Sequence, residues 1–108
     1  MKYIKDGVKA KDVKLQIIDA LLIMQLVLQR FNYDLVVTSL SDSKHKDTSL
    51  HYRGYAVDIR TRDMKVQDVP TVVRECRLAL GRDYDVVQEP DHIHVEYDPD
   101  HNGGLTLP

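Results

Sequence analysis

Cysteine is nearly absent: Cys76 is the only one in 108 residues. That excludes an internal disulfide and any metal site built on several thiolates. Cys76 lies in a stretch of helical apolar spacing, Val72–Leu80, with no activating base near it in sequence. It reads as a small core residue rather than a nucleophile. Tryptophan is missing and phenylalanine occurs once, which leaves little for a base-stacking platform. Charge of one sign is not in surplus, with 15 Lys+Arg against 17 Asp+Glu. Nucleic-acid binders concentrate basic charge, so no nucleic-acid partner is expected.

Uninterrupted apolar runs are also scarce. The most apolar stretch, Val13–Phe31, carries Lys14, Gln16, Asp19, Gln25, Gln29 and Arg30, so a buried helix fits it better than a membrane span. Met1–Asp6 has no apolar core of a secretory signal, and synthesis in the cytoplasm is expected. Neither a repeat nor a Pro/Gly linker divides the chain. One domain over residues 1–108 is expected, with 98–108 as a loose tail, in a monomeric protein.

What is present reads as α+β, two main helices packed on a small antiparallel or mixed sheet. Apolar spacing at Ile17, Leu21, Met24, Leu28 and Phe31 predicts a helix from about Ala10 to Phe31. Ile18, Leu22, Ile23 and Val27 widen its apolar stripe, as for a helix largely covered by a sheet, and Asn32-Tyr33-Asp34 closes it. Leu35–Ser39 is β-branched and predicts a strand, Leu40–Ser49 is a polar loop, and Tyr55–Arg60 alternates as a second strand. A second helix is expected over Val66–Leu80, stopped by Gly81. Strands at Tyr84–Gln88 and His92–Tyr97 follow, split by Glu89-Pro90-Asp91.

Two segments concentrate chemistry. In Asp91-His92-Ile93-His94-Val95-Glu96, strand alternation puts His92 and His94 on one face and Ile93 and Val95 on the core face. In Ala56-Val57-Asp58-Ile59, Asp58 takes the polar face, where its carboxylate needs water, a cation or a donor such as Arg60 or Arg53. Each segment alone is as well explained by surface residues. Together, two imidazoles and one carboxylate make a three-ligand zinc site whose fourth position stays open, the composition of a hydrolytic site.

The first segment extends back to Ser49-Leu-His51-Tyr-Arg53-Gly54-Tyr-Ala56-Val-Asp58. It resembles the Ser-x-His-x-x-Gly-x-Ala-x-Asp signature of the zinc D-Ala-D-Ala carboxypeptidase and L-alanyl-D-glutamate endopeptidase family, which shares the hedgehog/DD-peptidase fold and includes phage members. Asp91 and His94 resemble the closing motif, an acidic residue three positions before the last zinc histidine. The resemblance covers about residues 36–97. It implies a Zn2+ cofactor held by His51, Asp58 and His94. It also implies Asp91 as the general base that takes a proton from a metal-activated water and passes it to the leaving amine. His92 matches a position near the developing oxyanion, and Ser49 and Gly54 serve geometry. Glu89 is a rival for the base, but its offset from His94 does not fit.

Many relatives also carry an arginine before the first zinc histidine that contacts substrate. The stretch Thr38–Asp47 has none. Lys44, His45 and Lys46, or Arg53 from the other side, are the available cations, and a lysine lacks the planar fork of arginine. The implied function is hydrolysis of peptidoglycan stem peptides, at the cell wall after release. A metal-binding module without catalysis and a phage structural component are the alternatives, and retention of Asp91 argues for the enzyme.

Overall fold

The computed structural model describes residues 14–40 and 55–99, together with the backbone of residues 3–4. Within them, β1 (Tyr3–Ile4), α1 (Leu15–Arg30), β2 (Val36–Leu40), β3 (Ala56–Arg60), α2 (Val69–Leu80), β4 (Tyr84–Gln88) and β5 (His92–Tyr97) follow in order. The strands form one sheet, β1-β2-β3-β5-β4. Its four main strands are antiparallel, and β1 adds a parallel edge on β2. The expected α+β architecture is the one observed.

Helix α1 buries Ile17, Ala20, Leu21, Met24, Val27 and Leu28, a stripe at three- and four-residue spacing. Its end is a paired cap: Asn32 N–H donates to Gln29 O and Tyr33 N–H to Leu28 O. Asn32 takes the left-handed backbone (φ 63°) that this cap requires. Two expectations for this helix are corrected. It starts at Leu15, because Lys14 is extended, and residues 10–13 lie outside the described ones. Ile18 and Leu22 do not join the buried stripe; with Leu15 and Leu26 they face outward, 43–69% exposed.

The expected second helix divides at a proline. A regular helix from Val66 would need a Pro70 N–H donating to Val66 O, and proline has no such proton. Residues Val66–Asp68 therefore form a 3₁₀ turn, closed by Val69 N–H on Val66 O, and α2 runs on from Val69. Gly81 ends it at φ 85°, a conformation that favours glycine. Tyr33 pins this junction to the end of α1. Its hydroxyl donates to Asp68 Oδ2 at 2.6 Å and accepts from Lys65 N–H at 3.0 Å.

The core lies between the helices and one sheet face. Val57 and Ile59 of β3 and Ile93 and Val95 of β5 are fully buried there with Met24, Leu28, Val72 and Cys76. Burial pushes the Cys76 thiol from its ordinary 9.0 up to about 12, so its reactive thiolate is roughly a thousandfold scarcer than in an exposed thiol. Thiol labelling of the native chain is accordingly expected to be at least ~100-fold slower than in denaturant. Comparable rates in the two conditions would contradict the core placement.

Period-two alternation then decides the opposite face. With Val57, Ile59, Ile93 and Val95 turned to the helices, Asp58, Arg60, His92, His94 and Glu96 must point the other way.

Candidate functional site

Register brings the two chemical segments together. In the β3–β5 ladder Asp58 sits opposite His94, Arg60 opposite His92 and Ala56 opposite Glu96. Asp58 Oδ1 and His94 Nδ1 are 2.8 Å apart. His94 turns its other ring nitrogen, Nε2, to Glu96 Oε1 at 2.7 Å. On the far side of Asp58, Oδ2 lies 3.7 Å from His92 Nε2, and His92 Nδ1 lies 2.7 Å from Asp91 Oδ1. The result is a chain of alternating carboxylates and imidazoles: Asp91, His92, Asp58, His94, Glu96.

Several backbone features hold this chain. The β2–β3 register shifts between Val37 and Ser39, beside Asp58, a bulge of the kind found next to functional sites. Thr38 Oγ1 reaches Asp58 O at 3.4 Å. Thr61 N–H donates to Asp91 O at 3.1 Å, which fixes the turn before β5.

The electrostatics follow from the pairing. Without metal, His94 is pushed from 6.5 up to about 9, chiefly by its hydrogen bond to Asp58; burial opposes this and Glu96 adds to it. Asp91 is held below the usual carboxylate range by its hydrogen bond to His92. Its side chain is largely exposed (82%), so this carboxylate is ionised and open to a substrate near neutral pH.

Of the residues expected from sequence, Asp58, His94, Asp91 and His92 are brought together. His51, Ser49, Arg53, Gly54 and His45 lie outside the described residues, as do Lys44 and Lys46. Ala56 is fully buried yet lies outside the helix-facing core cluster, as its share in the Asp58 face requires. The rival Glu89 is used through its backbone, whose N–H donates to His92 O at 2.9 Å. Arg60 does not pair with Asp58; it bonds Asp63 at 2.7 Å.

Zinc accepts imidazole nitrogen and carboxylate oxygen at ~2.0–2.2 Å, and Asp58 and His94 offer one of each side by side. Among the described residues no group of three or more His, Cys, Asp or Glu side chains is assembled for a metal. The described part of the site is thus a two-donor half that fits zinc chemistry.

Two features escaped the sequence reading. Glu96 continues the same alternation as His92 and His94, and that signal was there to be read. Arg60 and Arg62 line a recess of about 160 Å³ with Thr38, Asp91 and His92. Arg60 Nε is buried with no hydrogen-bond partner among the described residues. Only the fold places this recess.

The family model of the Hedgehog amino-terminal signalling domain matches residues 8–97. The chain belongs to that family. Hedgehog-type domains share their fold with zinc peptidases, and members of the fold family can bind zinc. The match spans both chemical segments, residues 49–58 and 91–96, and it is to the signalling domain rather than to the peptidase family whose motifs the chain resembles. No curated protein matches the chain.

Proposed function

We propose that this hedgehog-type domain is a zinc-dependent peptidase acting on peptidoglycan stem peptides. The observation that carries the reading is the Asp58–His94 pair, an oxygen and a nitrogen donor 2.8 Å apart on adjacent central strands, with Asp91 and His92 beside it. Asp58 and His94, with His51, are the residues to hold the metal. Bound zinc would supply Lewis-acid activation of water and polarisation of the scissile carbonyl.

The chain's own groups supply the rest. Asp91, ionised and exposed, takes the proton from the attacking water and returns it to the leaving amine. His92 holds Asp91 through Nδ1, which orients that carboxylate. Arg60 and Arg62 wall the adjoining recess and give an anionic peptide group a planar guanidinium partner. They thus stand in for the arginine missing from residues 38–47. The substrate is a D-Ala-D-Ala terminus or an L-Ala-D-Glu bond, either of which presents a carboxylate near the cleaved amide.

The test is zinc content together with release of amino groups from defined muropeptides. Asp91→Ala is expected to lower hydrolysis by about 10²–10⁴-fold while zinc stays near one per chain. Loss of zinc in that variant would make Asp91 a ligand instead. The family match to a signalling domain favours a second reading, a metal-binding module without catalysis. Stoichiometric zinc with no cleavage of any wall peptide would select it.

A further inference from the structure

Glu96 has no part in the chemistry above, yet its position is specific. It lies two residues beyond His94 on β5, a strand paired on both sides. Its neighbour across β4 is Asp85, and two acids facing each other across strands are unfavourable. A carboxylate in that place needs a donor, and His94 Nε2 provides it at 2.7 Å. On the β3 side its neighbour is Ala56, whose methyl group offers no competing bond. Both side chains are partly shielded from water, 18% exposed for His94 and 24% for Glu96, so the bond is not a loose surface pair.

We infer that Glu96 is the positioning residue for His94, accepting the Nε2 proton so that Nδ1 is presented to a metal beside Asp58. An imidazole ligating through one nitrogen must carry its proton on the other, and an acceptor at that second nitrogen fixes both tautomer and ring orientation. The His94 ring meets these conditions, with Nδ1 toward Asp58 and Nε2 toward Glu96. Rotation of the ring about its Cβ–Cγ bond would lose both bonds. The inference rests on the reading of His94 as a zinc ligand and extends it to a residue outside the motif.

The experiment is a zinc titration of the full chain against a chromophoric chelator at pH 7, for the parent, Glu96→Gln and Glu96→Ala. Nitrogen-detected NMR of the His94 ring in the zinc-loaded parent accompanies it. Glu96→Ala is expected to weaken zinc about 10–100-fold. Glu96→Gln keeps an acceptor oxygen and is expected to recover most of that loss. The parent spectrum should show the proton on Nε2.

Zinc affinity of Glu96→Ala within about threefold of a tightly binding parent would overturn the inference and leave the zinc reading intact. A parent ring protonated at Nδ1 would do the same, without recourse to a variant that has to fold. A parent that holds no zinc would sink the ligand reading itself, and the titration of the parent alone tells that failure apart.

Discussion

His94→Ala is expected to fold and to lose zinc by more than about 100-fold, beyond the range for a partner that only supports a ligand. Its metal-free form carries a second signature. In the parent, His94 is pushed to about 9 from 6.5, mainly by Asp58. A basic group whose proton is held more tightly in the folded state stabilises fully below its unfolded value and loses that contribution as pH rises through the folded one. Metal-free parent protein should therefore lose stability between about pH 6.5 and 9. The alanine variant should lack that slope. It should be less stable than the parent at pH 6, where Asp58 and Glu96 lose the cation between them, and the gap should narrow above pH 9. Urea midpoints across this range check it, and parallel curves for the two chains would contradict the assignment.

Ile93→Ala is expected to destabilise the domain by about 2–5 kcal/mol, the usual cost of emptying a fully buried aliphatic site. Ile93 has no exposed surface and sits between Ile59 of β3 and Gln88 of β4. With total stabilities of ~5–15 kcal/mol for folded domains, that is a large share for a small chain. The urea midpoint should fall by on the order of 1 M or more. Leu26→Ala, on the exposed side of α1, should stay within about 0.5 kcal/mol of the parent. Equal losses at the two positions would mean that Leu26 is covered in solution.

These two residues mark what could be read from sequence and what could not. The strands Tyr84–Gln88 and His92–Tyr97 were legible to the residue, because Gly81 and Pro90 punctuate them and period-two alternation fills them. The same alternation assigned Ile93 to the core and His94 to the polar face. Apolar periodicity also located α1, but it cannot show how much of an apolar helix is covered. Ile18 and Leu22 consequently read as buried. The two-residue β1 has no pattern long enough to register, and it exists through its partner on β2.

At the site, Asp58, Asp91 and His94 stood out as candidates through their resemblance to the peptidase motifs, and the fold places Asp58 beside His94. Their approach depends on β5 sliding in beside β3, which spacing alone does not specify. The Arg60–Arg62 recess was hidden for the same reason. Its walls come from the β3 end, the β4–β5 turn and β2, segments far apart in sequence. On sequence alone Arg60 was a candidate partner for Asp58; Asp63, three residues on, takes it in the fold.

The strand order has a kinetic consequence. β4 and β5 are joined by only Glu89-Pro90-Asp91 and form a local hairpin. The β3–β5 seam joins Asp58 to a residue 36 positions away, so its closure carries a loop entropy that the hairpin does not. The seam is thus expected to zip up late, and Asp58 and His94 meet only then. A ligand that needs both residues finds nothing to grip on the way to the folded state. It should leave the folding rate nearly unchanged and act as a brake on unfolding.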